Sequence, residues 1–194
     1  MGADDLASRI EATTLLIKDT ANDRGWPVVG IDRISRQHVA EFLQVTPEHL
    51  ANLASIGEGP TPSKLGAGRY SFGAIAAWIE ENRVGVPTAD LVGDLSAAEI
   101  VSAHQQIDLV HEVAATHGCF LSGDRRISSA VAAQIIGYKS PCTLRKNRRA
   151  GPPYYAVGSR EGRVTYRIDD VVYWSLGQRG PMFWGSSSNV PPFH

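Results

Sequence analysis

Mostly apolar side chains recur at helical spacing in two stretches of the chain. The first stretch is Leu6, Ile10, Thr13 and Ile17, and the second is Ile100, Ala103, Ile107, Val110 and Ala114. Spacings of three and four residues place such side chains on one face of a helix. A glycine follows each stretch, Gly25 and Gly118, where a helix commonly ends. We therefore predict two long helices, the second over residues 96–117.

Two short helices are predicted after each long one. The first begins at a serine suited to an N-cap, over Ser35–Leu43 and Ser128–Ile136. The second begins at Thr46-Pro47 and Ser140-Pro141, where a capping residue precedes a proline at the first helical position. Two short helices joined by so tight a turn indicate a helix-turn-helix. We expect the second helix to end near a Gly-Pro pair in both halves, because proline disfavours helix before it and cannot extend one.

A hairpin-like stretch and a last helix complete each half. The predicted strands are residues 63–65 and 69–72 around a turn at 66–68, and residues 154–157 and 163–167 around a turn at 159–162. These hairpins would form wings. The last helices are predicted over Ala74–Glu81 and Asp169–Leu176. We expect Trp78 and Trp174 to anchor the two cores, since so small a unit needs one large apolar side chain to close it.

The two halves repeat one another in sequence. A shift of 93 residues aligns Gly25, Gly30, Arg33, Ile34, Ser35 and Ala40 with Gly118, Gly123, Arg126, Ile127, Ser128 and Ala133. Further on, Tyr70 aligns with Tyr166 and Trp78 with Trp174, eight residues apart in both halves. We predict a mainly α fold with small β wings (α+β), made of two tandem winged helix-turn-helix domains related by internal duplication. The domains would span residues 1–90 and 91–180, followed by an irregular tail at 181–194.

Charge is distributed unequally between the halves. Residues 1–119 hold 8 lysines and arginines against 16 acidic residues, whereas residues 120–194 hold 11 against 4. The resulting net charges of −8 and +7 are hidden in a total of −1. Such asymmetry points to nucleic-acid contact by the basic part of the chain.

The ordered series of motifs resembles the excisionase and MerR-like winged helix family. The second half fits best, with Gly151-Pro152-Pro153, Arg163, Tyr166-Arg167 and Asp170 ahead of Trp174. The first half has Ala74 where that aspartate stands, and members of the family are usually single short units. The resemblance implies sequence-specific binding of double-stranded DNA, with the second short helix in the major groove and the wing on the backbone or minor groove.

The candidate DNA-binding residues lie mainly in the second half. We assign Thr143, Arg145 and Lys146 to base reading, because arginine can pair with guanine through two hydrogen bonds. Phosphate contacts are assigned to Arg148, Arg149, Arg160 and Arg163. Arg126, Lys139 and Arg167 are further candidate contacts. The open alternative is that these cations form a solvated basic face.

The first half has weaker chemistry for contacting DNA. Its second short helix carries Glu48 and no lysine or arginine, although His49 and Asn52 could read a base. Lys64 and Arg69 could hold its wing to the backbone. This half and the helix over 96–117 are the candidates for contact with a protein partner or a second copy of the chain, although we expect the apolar face of that helix, at Ile100, Ile107 and Val110, to pack within the chain. The alternative to a DNA-binding regulator is therefore an adaptor subunit of a packaging or replication assembly.

Other classes of function find little support in the sequence. We see no nucleophile elbow, metal motif or phosphate-cradling glycine loop, and predict neither an enzyme nor a metal or cofactor site. Cys119 and Cys142 are expected as reduced thiols. No apolar run approaches the roughly 18 residues of a membrane span. The acidic N-terminus is unlike a secretory signal, so we expect a cytoplasmic, nucleoid-associated protein without membrane contact.

Overall fold

The computed structural model describes residues 3–64, 68–85, 88–93, 95–119, 123–157 and 163–179. Over these residues the fold is mixed α and β, which confirms the predicted α+β class at the coarse level. The helices are α1 (Ala3–Asp23), α2 (Arg36–Leu43), α3 (Pro47–Ser55), α4 (Phe72–Glu81), α5 (Thr88–Gly93), α6 (Ala97–Thr116), α7 (Ser129–Ile136), α8 (Pro141–Lys146) and α9 (Ile168–Arg179). The strands are β1 (Arg33–Ser35), β2 (Arg69–Ser71), β3 (Arg83–Val84), β4 (Ile127–Ser128), β5 (Tyr154–Val157) and β6 (Arg163–Tyr166).

Two compact units make up the described chain. Unit 1 comprises the described residues within 1–83, 121–124 and 156–163, and unit 2 those within 84–120, 125–155 and 164–194. The strands form a two-stranded sheet, β1-β2, and a four-stranded sheet with the order β3-β5-β6-β4.

In unit 1, the long helix α1 packs against the last helix α4, and α2 packs against α3. Strands β1 and β2 pair antiparallel, with Ile34 opposite Tyr70. Both of these side chains are fully buried. The Trp78 indole is also buried, and its Nε1 donates a hydrogen bond to the Glu58 carbonyl at 2.8 Å. The predicted anchoring role of Trp78 is therefore confirmed.

Unit 2 has the corresponding packing: α6 lies against α9, and α7 contacts both α8 and α9. Strands β4 and β6 pair antiparallel, with Ile127 opposite Tyr166. Ile107 and Val110 of α6 belong to the buried core, so the apolar face of this helix is used within the unit. Trp174 is buried as predicted, and its Nε1 donates to the Ala150 carbonyl at 3.1 Å.

The helix ends follow the same local chemistry in both units. After α1, the Trp26 N–H donates to the Ala21 carbonyl, and after α6 the Cys119 N–H donates to the Ala114 carbonyl, both at 2.8 Å. The intervening glycine has φ 63° at Gly25 and 62° at Gly118. A left-handed residue at this point lets the chain satisfy the last carbonyls of a helix, which is the reason for glycine there.

Three expectations about the secondary structure need correction. The strands β1, β3 and β4 and the helix α5 were not expected. In the first half, Ser63 and Lys64 are not in a strand, although the Ser63 N–H donates to the Arg69 carbonyl at 2.7 Å, and residues 65–67 lie outside the described part. Pro60 and Pro62 have no N–H to offer a strand ladder, which explains the loss of regular pairing here. The third correction, the end of α8, belongs to the candidate site. The tail at 181–194 also lies outside the described residues.

Candidate nucleic-acid interface

Capping interactions set the directions of α7 and α8. The Ser128 hydroxyl accepts a hydrogen bond from the Val131 N–H at 3.2 Å, which confirms the predicted N-cap of α7. The helix ends at Gly137, whose φ of 82° turns the chain. The Ser140 hydroxyl then accepts from the Cys142 N–H at 3.2 Å, with Pro141 at the start of α8. The two helices are thus joined by a short turn with a capped start at each helix.

Leu144 anchors α8 and leaves its cations outside. The leucine side chain is only 1% exposed, as predicted, whereas Arg145 and Lys146 are exposed. Thr143 is half-buried. Both cations lie in the last turn of the helix, where positive charge is favoured by the helix dipole. The short helix therefore presents a charged surface on a fixed apolar base.

The helix ends earlier than the sequence suggested, so Arg148 and Arg149 are not helical. The Asn147 N–H donates to the Thr143 carbonyl at 3.1 Å, and the Ala150 N–H donates to the Asn147 carbonyl at 3.0 Å. The chain follows a turn after Lys146, and the Trp174 indole donates to the Ala150 carbonyl at the end of this turn.

The turn after α8 presents its two arginines differently. The Arg148 guanidinium lies 5.8 Å from the centre of the Tyr154 ring and is half-buried. A cation over an aromatic face is attracted by the ring, which restrains the side chain. Arg149, by contrast, is exposed.

Arg126 is not available at the surface, contrary to its assignment as a DNA contact. Its side chain is 2% exposed, and its Nη1 donates to the Thr165 hydroxyl at 3.3 Å. The guanidinium also lies 5.5 Å from the centre of the Tyr155 ring. A buried cation needs such partners to compensate for lost hydration. Arg126 therefore stabilises the fold.

We expect Arg126→Gln to lower the free energy of unfolding by about 1 to 3 kcal/mol, since it removes a buried charged donor and leaves its partners without it. The matched control is Arg125→Gln, which removes the same charge from the neighbouring exposed side chain. We expect the control to change stability by less than about 0.5 kcal/mol. Urea unfolding followed by circular dichroism measures both, and equal effects would contradict a buried structural role.

The remaining candidate cations of the second half have separate positions. Lys139 is exposed in the turn between α7 and α8. Arg167 is half-buried, with its guanidinium 5.2 Å from the centre of the Tyr155 ring. Arg163 begins β6, but its side chain is not described, and Arg160 lies outside the described residues.

A small open pocket lies beside α8 and was not expected from the sequence. Its volume is about 160 Å³, and it is lined by Ser129, Pro141, Cys142, Arg145, Arg148 and Tyr166. Burial raises the pKa of Tyr166, against smaller opposing effects of the Arg148 charge and a hydrogen bond with Ser129. The Tyr166 hydroxyl therefore stays neutral at physiological pH. The two arginines at positions 145 and 148, three residues apart, were the only sequence signal for this pocket.

In unit 1, the surface of α3 lacks cations. His49 and Asn52 are exposed on α3, beside the exposed carboxylate of Glu48. Lys64 is exposed and Arg69 is half-buried, so the structure leaves both at or near the surface without placing them on a described hairpin.

The chain has no match among known proteins in any of three comparisons: no family model, no curated protein and no solved structure. None of the described helices is long and apolar enough to cross a membrane.

Proposed function

We propose that this chain binds double-stranded DNA sequence-specifically. It would act as a transcription regulator or as a recombination directionality factor of a mobile element. The observation that carries the proposal is the group of exposed cations on and just after α8: Arg145, Lys146 and Arg149. Neutralising DNA phosphates with such groups supplies much of the affinity of DNA-binding proteins.

The shape of α8 suits this role. A helix of six residues is about 9 Å long, and a helix with its side chains is about as wide as the major groove of B-DNA. Leu144 anchors the helix from below, so Thr143 and Lys146 would reach base edges while Arg149 holds the backbone. A buried anchor with exposed cations around it favours this reading over a solvated basic face with no ligand.

We also propose that the two units are copies of one winged helix-turn-helix, in which unit 1 is subordinate. The support is the recurrence of contacts at corresponding positions. In each unit an isoleucine pairs with a tyrosine across two strands, at Ile34 with Tyr70 and at Ile127 with Tyr166. Each core tryptophan donates to the carbonyl immediately before the Gly-Pro pair.

A second candidate function is an adaptor subunit of a packaging or replication assembly, in which unit 1 binds protein. The specific observation is that unit 1 exposes large apolar side chains. Ile56, just after α3, is 65% exposed, and Ile31 is 92% exposed. Exposed apolar side chains of this size are typical of protein contacts when they cluster.

The direct test is selection of bound duplexes from a randomised DNA library by the full chain. We expect a selected sequence to bind about a thousandfold more tightly than a scrambled duplex at one fixed salt concentration. Equal affinity for both would overturn sequence-specific binding. Mapping the bound sites in cells then separates the two roles, since sites beside an integrase gene favour the directionality factor and sites beside packaging genes favour the adaptor.

A further inference from the structure

The pocket beside α8 brings together neutral and cationic hydrogen-bond donors from three elements. Ser129 begins α7, Arg145 belongs to α8, and Tyr166 ends β6, while Arg148 comes from the turn after α8. None of the described residues that line the pocket carries a carboxylate. Two guanidinium groups with the Tyr166 hydroxyl form a donor set suited to an oxyanion.

The donors are held in place before any ligand arrives. The Arg145 Nη2 lies 3.6 Å from the Cys142 sulfur, and the Arg148 guanidinium lies over the Tyr154 ring. Tyr166 is 2% exposed, and the Ser129 hydroxyl donates its proton to the Val164 carbonyl at 3.5 Å, so the groups left to donate to an anion are the two guanidinium groups and the Tyr166 hydroxyl. A site that is already ordered loses less side-chain freedom on binding.

The size of the pocket limits its ligand. Pockets for small organic molecules usually enclose roughly 300 to 1,000 Å³. A volume of about 160 Å³ is the space of about five water molecules at roughly 30 Å³ each. That space suits a single tetrahedral oxyanion and excludes a whole nucleotide.

The corresponding positions of unit 1 do not provide this donor set. By the sequence repeat, Ser129, Cys142, Arg145 and Arg148 correspond to Arg36, Glu48, Ala51 and Ala54. A carboxylate and two alanines therefore replace the thiol and the two guanidinium groups. Tyr166 alone has the same residue type at the corresponding position, which is Tyr70. The Tyr70 hydroxyl is buried without a hydrogen-bond partner among the described residues. The chemistry for an anion is specific to unit 2.

We propose that Arg145, Arg148 and Tyr166 form a binding site for one phosphate group, with Ser129 lining the pocket beside them. The group would belong to the DNA backbone, a step that rests on the proposed function, or to a free phosphorylated molecule. On this proposal Arg145 grips phosphate, so base reading on α8 falls to Thr143 and Lys146.

The first test measures inorganic phosphate binding to the full chain by isothermal titration calorimetry at low salt. We expect saturable binding that weakens about tenfold or more in Arg145→Gln and in Arg148→Gln, because each loses a charged hydrogen bond. Arg148→Gln removes the contact with the Tyr154 ring and could disturb the fold. Arg145 is exposed, so Arg145→Gln tests the site without that change. The control Arg125→Gln, which removes an exposed arginine outside the pocket and outside the proposed DNA-binding surface, should change phosphate affinity by less than about twofold.

The second test repeats the variants with duplex DNA and separates the two sources of phosphate. If the pocket holds a backbone phosphate, each pocket variant lowers the slope of log affinity against log salt by about 0.9. If the pocket variants lose phosphate binding but bind DNA as the wild type does, the phosphate site is supported and its ligand is a free phosphorylated molecule. If the wild-type chain binds phosphate but no DNA, the proposed function fails and the pocket stands. If the wild-type chain does not bind phosphate, or if all variants bind phosphate with equal affinity, the proposed phosphate site is overturned even if the chain binds DNA.

Discussion

Replacing Arg145, Lys146 and Arg149 together by glutamine should reduce DNA affinity at least about a hundredfold. Each exposed cation contributes a charge-assisted hydrogen bond to DNA, and the loss of three such bonds exceeds two factors of ten. The fold should persist, because these side chains are exposed and Leu144 still anchors α8. Fluorescence anisotropy with a labelled duplex measures the affinity, and circular dichroism checks the fold.

The matched control removes three positive charges from unit 1 by replacing Arg36, Lys64 and Arg69 with glutamine. Arg36 and Lys64 are exposed and Arg69 is half-buried. Because α3 presents no cations beside them, we expect this variant to bind DNA within about threefold of wild type. Unchanged affinity in the unit 2 variant, with its structure intact, would show that α8 is not the DNA-binding surface.

The largest loss of stability is expected for Trp174→Ala, at about 3 to 5 kcal/mol. The indole is 8% exposed and lies in the core of unit 2, so the substitution removes much buried apolar area and leaves a cavity. It also removes the donor to the Ala150 carbonyl. Urea unfolding of the full chain, followed by far-ultraviolet circular dichroism, gives the change.

Trp174→Phe separates the two contributions. Phenylalanine retains most of the apolar contact but cannot donate to the Ala150 carbonyl, so we expect a smaller loss of about 1 to 3 kcal/mol. A loss below about 1 kcal/mol for Trp174→Ala would contradict its role as the core anchor of unit 2.

Local chemistry explains what could be predicted from the sequence. Ser35, Thr46, Ser128 and Ser140 all cap helices as expected, because a cap needs only its own side chain and the next two or three N–H groups. The core positions of Leu144 and Trp174 followed from helical spacing and side-chain size.

Contacts between distant residues explain what could not be predicted. Strands β1 and β4 have three and two residues and exist through pairing with β2 and β6, so they carry no periodic signal of their own. Arg126 resembles any surface arginine in sequence, but Thr165 and Tyr155 enclose its guanidinium. The turn after α8 contacts Trp174, which lies 24 residues from Ala150. The pocket likewise needs Tyr166 beside Ser129 and the two arginines.

The inequality of the two units is the central claim, and the salt dependence of DNA binding tests it most directly. Each neutralised phosphate steepens the fall of log affinity with log salt by about 0.9. With the full chain and one duplex, replacing Arg145, Lys146 and Arg149 should lower the wild-type slope by about 1.8, because Arg145 and Arg149 hold phosphates at about 0.9 each while Lys146 reads a base. Replacing Arg36, Lys64 and Arg69 should lower the slope by less than about 0.9, which corresponds to less than one phosphate contact. Equal losses in both variants would make the units equivalent readers of DNA and would contradict a subordinate unit 1.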